Sequence, residues 1–421
     1  MSLVTDAETF ESQVQRLYAS DPALIADPYP LYARMRREHP VFRMGPLVSV
    51  ATYDGVKHVL GHPEVFSSER AESTAFVARR DELTPEQRVK FDEFLAFLGL
   101  WLPFNDEPAH SEIRGAVREA FTPRKVNEMR EEIQAIVDEL LDRAAARGEL
   151  DLVPDFSYPL PLRVVSALLG APQERMADMR EWSDQIAIAV GTNFSNIDAA
   201  HAAMESFREL VRDMVAARRA SGDASGIFGA LVLPEGDAAI SDDQIVSMCV
   251  LLLFAGHETT TNLIGNALLA LFENPDQLQR LREDPALIRG TIEEILRYNN
   301  AVQVAHRTAI ADTDILGFPV KKGETVRVLF GAANRDESVF DDAERFDIAR
   351  KTSTRHLGMG YGIHSCLGIW LAKLEVDIAL TTLLDRFPDL RLDASEVAWN
   401  PVLTLHGAKN IRFVLGPERQ R

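Results

Sequence analysis

The sequence predicts a mainly α fold with a smaller β portion, and three observations carry that reading. Apolar residues recur at helical spacing along most of the chain. Strand-like pieces are short and far apart. No alternation of strand and helix suited to a parallel sheet occurs, and no internal repeat is visible.

From the N-terminus, strand patterns come first, at Val41–Phe42 and Leu47–Val50. The segment Ser67–Asn105 then mixes charges with Phe76, Phe91, Phe94, Phe97, Trp101 and Phe104, which fits core helix or an aromatic lid over a pocket. "NEMREEIQAIVDELLDRAAARG" places Met129, Ile133, Ile136, Val137 and Leu140 on one stripe and stops at Gly148. "MESFRELVRDMVAARRASG" repeats the pattern with Phe207, Leu210, Val211 and Met214. Ser221–Gly229 and "LPEGDAAISDD" read as loop. Ser241-Asp242-Asp243-Gln244 offers a capping box ahead of a long apolar helix. "PALIRGTIEEILRY" is helical through Leu287, Thr291, Ile295 and Tyr298, and further strands are expected at Thr325–Phe330 and Ile411–Leu415. Length alone allows two or three domains, but the uniform pattern favours a single domain over residues 1–421.

Composition removes several function classes. The 45 basic and 64 acidic residues leave a net charge of −19, which argues against general nucleic-acid binding. Cys249 and Cys366 are the only cysteines, far apart, so neither a disulfide scaffold nor a zinc site on paired thiols is expected. The first residues lack a signal-peptide pattern, and the longest apolar stretch, Met248–Gly256, is too short to cross a bilayer. A cytoplasmic protein is expected.

Chemistry is concentrated in a few places. In "LLLFAGHETTTN", Ala255 and Gly256 permit close approach to the helix. Glu258 and Thr259 pair an acid with an alcohol whose hydroxyl can bond back to the carbonyl of Ala255. In "EEILR", Glu294 and Arg297 are neighbours on one helix face, a pairing that matters only if partners such as Arg345 complete a buried network. The pairs His110/Arg114, His306/Arg307 and Arg355/His356 fit anion sites and ordinary surface equally.

"LGMGYGIHSCLG" surrounds Cys366 with glycine, and a periodic helix follows. Backbone N–H groups at that helix start favour the thiolate. An electron-rich thiolate in a loop that something flat can approach suits an axial haem ligand. A Cys/His nucleophile using His364 is the rival, and it leaves Glu258–Thr259 without a role.

Together these segments resemble the cytochrome P450 haem-thiolate monooxygenases of the soluble bacterial type, over essentially the whole chain. "GMGYGIHSCLG" is similar to the haem-binding signature, "AGHETT" to the oxygen-activating groove and "EEILR" to the ExxR helix. "ANRDESVFDDAERF", "DPYPLYARMR" and "NDEPAHSEIRGAVREAFTPRKV" are similar in order and spacing. The resemblance implies heme b (iron protoporphyrin IX) between the long central helix and the helix after the cysteine loop. It implies Cys366 as the iron ligand, and His110, Arg114, Arg307 and His356 around the propionates. Glu258 and Thr259 are implied as the catalytic proton-delivery pair, Glu294, Arg297 and Arg345 as a structural triad, and Ser67–Asn105 as a substrate-recognition segment. Cys249 is expected in the core. Met359 replaces a usual phenylalanine, Ala301 a common proline and His406 a frequent arginine.

The implied reaction inserts one atom of dioxygen into a substrate: RH, O₂, two electrons and two protons give ROH and water. Epoxidation, dealkylation or oxidative coupling on the same fold is the near alternative; a ligand-binding haem-thiolate sensor is the distant one, which would not need Glu258 and Thr259. Electrons would come from a separate ferredoxin and its NAD(P)H-dependent reductase, docking on Arg114, Arg118, Arg124, Lys125, Arg350, Lys351, Arg355 and Lys373. Val250–Gly256, Ala301–Ala305 and Val402–Leu405 are expected to line a pocket for a medium-sized hydrophobic or aromatic molecule, with Gln303 and Thr404 as polar anchors. A monomer with no nucleic-acid or membrane partner is expected.

Overall fold

The computed structural model describes residues 9–69, 74–118, 121–191, 194–224, 226–233, 241–393 and 397–419. Most of "LPEGDAAISDD" and part of Ser67–Asn105 therefore lie outside the described residues, as do residues 1–8.

A helix of 32 residues, Asp242–Glu273, runs through the middle of the molecule. It starts where the capping box places it: the Ser241 hydroxyl accepts from Gln244 N at 3.2 Å, and Gln244 Oε1 accepts from Ser241 N at 2.8 Å. Ile245, Met248, Leu253, Leu263, Ile264 and Leu268 are all buried, and apolar residues occur all round it. Such a helix needs neighbours on every side. It gets them from Pro159–Leu169, Ile197–Ser221, Ile288–Tyr298 and Ile369–Arg386. Cys249 is fully buried there, and burial alone pushes its thiol up to about 12.

The helix after the cysteine loop, Ile369–Arg386, buries Leu371, Leu374, Val376, Ile378, Ala379 and Leu383 at 3.6-residue spacing and stops just before Pro388. Arg130–Ala145 packs beside it. The expected loop Ser221–Gly229 is partly helical instead, with Gly226–Val232 burying Ile227 and Phe228. Its glycines and alanines mask the apolar spacing that would have marked a helix.

Strands are few. Val41–Met44, Leu47–Val50, Thr325–Leu329, Val304–Ala309 and Phe66–Ser67 lie side by side in that order. The Leu47–Val50 and Thr325–Leu329 pair is parallel, joining segments far apart in sequence, which local alternation could not reveal. Glu149–Asp151, Arg412–Val414 and Arg391–Leu392 form a second sheet. Among the described residues no helix is long and apolar enough to cross a membrane.

Candidate active site

The cysteine loop uses its glycines in two ways. At Gly358 the chain lies so close to the ExxR helix that a Cβ would sit 2.3 Å from the Leu296 carbonyl oxygen. Gly360 and Gly362 have φ of 77° and 72°, the left-handed region that side chains avoid. The turn closes when Cys366 N donates to Met359 O at 2.8 Å, a backbone bond that the Met359 side chain does not decide. Cys366 then stands two residues before Gly368, the N-cap of Ile369–Arg386.

The Cys366 residue is open to a slot, although that slot is deep inside the protein. Burial raises its thiol above the ordinary value, while the Gly368 N–H, Arg114 and Lys373 pull it back down. The sequence argument for a thiolate counted only the second group of effects. In the protein alone, burial wins.

Across the slot stands the central helix. Ala255, Gly256, Thr259 and Thr260 line it, opposite Cys366 and Leu371, with Val165 beside them. Gly256 is where Val165 comes close: a Cβ there would meet Val165 Cγ2 at 3.2 Å. Thr259 Oγ1 donates to Ala255 O at 3.0 Å, as expected, and Thr260 Oγ1 to Gly256 O at 3.3 Å. The helix is nevertheless continuous.

Basic groups ring one end of the slot. His110 and Arg114 come from Ala109–Arg118, and His364 comes from the cysteine loop; all three line the slot. The His110 and His364 rings are 4.4 Å apart. Burial, with Arg307, His110 and Arg114 nearby, drives His364 down to about 3. Arg307 is itself buried, which brings it down to about 10. His110 Nε2 and His364 Nδ1 have no hydrogen-bond partner, and His110 Nδ1 is 3.5 Å from Glu107. The desolvated Arg114 and the unspent ring nitrogens on the slot, with the buried Arg307 near His364, call for an anion. The donor set, one thiol facing apolar walls with a basic rim, fits haem and its propionates.

Two expectations need correction here. His356 is not at the slot: its Nε2 lies 3.1 Å from Glu293 and ties the loop to the ExxR helix, while its Nδ1 accepts from Gly358 N at 3.1 Å within the loop. His364 takes the place at the rim, held by Ser68 Oγ at 2.8 Å. Its position two residues before Cys366 was the signal, and spacing alone could not separate two histidines in one irregular loop.

The second correction concerns the triad. Glu294 and Arg297 are fully buried and joined by two bonds, Arg297 Nε to Oε2 at 2.9 Å and Nη2 to Oε1 at 2.8 Å. The third side chain is Arg350, whose Nε donates to Glu294 Oε1 at 3.1 Å. Arg345 supplies only its carbonyl, which accepts from Arg297 and Arg350. Arg297 Nη1 also donates to Asn334 O and Ala343 O, and Asn334 Oδ1 accepts from Leu357 N at 2.7 Å. The ExxR pair thus holds the first residue of the cysteine loop through one intervening asparagine.

Glu258 and Thr259 face different spaces. Thr259 lines the slot, whereas Glu258 lines a separate cavity of about 360 Å³ with Tyr158, Arg180, Asp184, Val402 and Leu405. His257 Nε2 lies 3.3 Å from Glu258 Oε1 and 3.1 Å from the Tyr158 hydroxyl. With His257 Nδ1 at 2.5 Å from Leu253 O and donating to it, a neutral ring accepts from Tyr158 and a protonated ring donates to Glu258.

Burial and the charge of Glu258 raise Asp184 to about 6, against opposing pulls from Arg180 and His257. A folded value above the ordinary one means the native state favours the protonated acid, so charging it costs stability as pH rises through about 6. Asp184→Asn should therefore raise the melting temperature at about pH 8 and leave it near wild type at about pH 4. Parallel thermal melts check this, and an unchanged difference across the range contradicts it.

A further cavity, of about 1080 Å³, is lined by Phe76, Phe91, Leu95, Phe104, Phe194 and Thr404 among others. The aromatic segment is therefore both wall and core: Phe94, Phe97 and Trp101 are buried behind it, and Phe194 meets Phe76 and Phe91 edge-on. Thr404 lines this cavity. Gln303 does not line it; it is fully buried against Gly331 and donates to Asn300 O at 2.7 Å.

The sequence profile of one protein family, Cytochrome P450, matches residues 38–396. Cytochrome P450 107B1 of Saccharopolyspora erythraea is 37% identical over 407 residues, covering 95% of this chain and 98% of its own. Cytochrome P450 monooxygenase PikC of Streptomyces venezuelae is 37% identical over 410 residues, covering 94% of this chain and 93% of its own. Among solved structures, CYP109E1 from Bacillus megaterium in complex with testosterone superposes with a TM-score of 0.84 at 32% identity, over 94% of this chain and 99% of that one. P450BioI in complex with a hexadec-9Z-enoic acid ligated acyl carrier protein gives 0.84 at 30% identity, over 94% and 100%.

Proposed function

The chain belongs to the cytochrome P450 family and is a haem-dependent monooxygenase, and we propose that it oxygenates a medium-sized hydrophobic or aromatic small molecule with electrons from a separate ferredoxin and its NAD(P)H-dependent reductase. The observation that carries this reading is one slot with the Cys366 thiol on one wall, the Thr259 hydroxyl on the other and a basic rim at its end. Haem, when bound there, supplies the oxygen activation and insertion. Cys366 would ligate the iron, and His110, Arg114, His364 and Arg307 would hold the propionates. The whole chain, residues 1–421, acts as one catalytic domain in this reading.

The chain's own residues then have separable tasks. Glu258 takes up protons on the polar cavity side, where His257 Nε2 lies 3.3 Å from it, and Thr259 presents a hydroxyl on the slot side. Adjacent positions on one helix turn thus bridge a polar cavity and an apolar slot. The Phe76, Phe91 and Phe104 wall offers apolar contact to a nonpolar body, a size class consistent with the testosterone held by the CYP109E1 neighbour.

Thr259→Ala should leave haem and substrate binding nearly intact and divert reducing equivalents to peroxide. A tenfold loss of coupling corresponds to ~1.4 kcal/mol of differential barrier. Unchanged ratios of product to NAD(P)H consumed in both Thr259→Ala and Glu258→Gln would reject this proton route.

The partner reading draws support from Arg118, Arg124, Lys125, Lys351 and Arg355, all exposed. Three members of the expected basic set are already paired: Arg350 with Glu294, Lys373 with Glu293 and Lys125 with Glu128. Reversing Arg118, Arg124 and Arg355 to Glu should slow reduction by ferredoxin, most at low salt, because exposed charges are screened beyond ~10 Å at 0.1 M ionic strength. Stopped-flow reduction that ignores both the reversals and salt would place the docking face elsewhere.

A further inference from the structure

A cleft of about 490 Å³ lies apart from the slot, between the turn at Asp27 and the chain near His406. Nothing in the monooxygenase reaction uses it. His406 lines the cleft at 1% exposure, stacked on Trp399 with ring centroids 4.4 Å apart and planes 14° from parallel. Both of its ring nitrogens lack a hydrogen-bond partner. Burial, with Arg335 nearby, brings its pKa down to about 4, so the ring is neutral at ordinary pH and holds an unspent donor and an unspent acceptor.

The charges of the cleft select the sign of a ligand. Arg335 is spent: its guanidinium is sandwiched 3.4 Å from the Tyr29 ring centroid and 3.8 Å from that of Tyr298, and it donates to Tyr298 O and Glu344. Asp27 and Glu273 also line the cleft, and no ion pair to either is found among the described residues. Burial and the charge of Asp27 both raise Glu273, as expected of two carboxylates near each other without a cation between them. No group of three or more carboxylate, histidine or cysteine side chains suited to a metal ion occurs among the described residues. An organic cation meets these conditions better.

We propose that this cleft binds a small planar organic cation with N–H donors, an amidinium or guanidinium, its charge offset by Asp27 and Glu273 and one N–H donated to His406. The flat body lies beside the Trp399–His406 stack, where an aromatic face also favours positive charge. His406 is next to Leu405 and close to Thr404, which line the two cavities assigned to proton entry and substrate.

Benzamidinium chloride is the probe, titrated calorimetrically into the haem-loaded protein, with benzamide as the uncharged control and the Soret band recorded alongside. One-to-one binding of benzamidinium without a Soret change is expected, with benzamide at least about tenfold weaker. Asp27→Asn with Glu273→Gln should weaken binding about tenfold, and added salt should weaken it too. His406→Arg, which brings a tethered guanidinium into the cleft, should abolish it. If that variant fails to fold, the carboxylate pair alone decides. No measurable benzamidinium binding, equal binding of benzamide, a Soret shift indicating the iron as the site, or affinity indifferent to the carboxylate variants would each overturn the proposal.

Discussion

Arg297→Ala should cost about 3–5 kcal/mol of stability and leave little haem-loaded protein. The size follows from what remains behind. Glu294 is fully buried and would keep only Arg350 and the Asp347 N–H as partners, while the carbonyls of Asn334 and Ala343 would lose their donor and that of Arg345 would keep only Arg350. Breaking a buried pair strands a charge, which costs far more than the net worth of the intact pair. Asn334 also holds Leu357 N, so the damage passes directly to the cysteine loop. Arg297→Lys should rescue only in part, because one ammonium cannot serve the carboxylate and three carbonyls that a planar guanidinium reaches. Urea unfolding with haem content measured on the same samples checks this. An Arg297→Ala protein of wild-type stability would contradict the assigned network.

Cys366→Ala should abolish product formation altogether, whereas Cys249→Ala should leave it close to wild type. Cys249 is fully buried in the central helix and does not line the slot, although its neighbour Met248 does, and burial pushes its thiol up to about 12. Cys366 is the only thiol that opens onto the slot among the described residues. Burial holds the thiol above its ordinary value in the protein alone, so the Gly368 N–H, Arg114 and Lys373 assist a deprotonation that they do not themselves complete. Turnover assays on the two alanine variants separate these thiols, and equal activity would refute the assignment.

Local chemistry was legible in the sequence, and tertiary choice was not. The Ser241–Gln244 capping box, the Thr259 bond to Ala255 and the glycines around Cys366 are each decided within a few residues, so reading along the chain sufficed. The parallel pairing of Leu47–Val50 with Thr325–Leu329 depends on distant segments and left no local mark. Arg350 rather than Arg345 reaches Glu294 because the chain between Phe340 and Arg355 is irregular, and no periodicity there tells which arginine turns inward. His356 and His364 were indistinguishable for the same reason. Gln303 looked like a pocket residue because its neighbours are apolar, yet the close approach of Gly331 shuts it into the core.

The carbon monoxide difference spectrum of the reduced, haem-loaded protein tests the central assignment most directly. Wild type and Cys249→Ala should show the red-shifted Soret band of thiolate ligation, and Cys366→Ala should lose it. A red-shifted band of normal intensity in Cys366→Ala, or its absence from correctly folded wild type, would contradict Cys366 as the ligand in this slot.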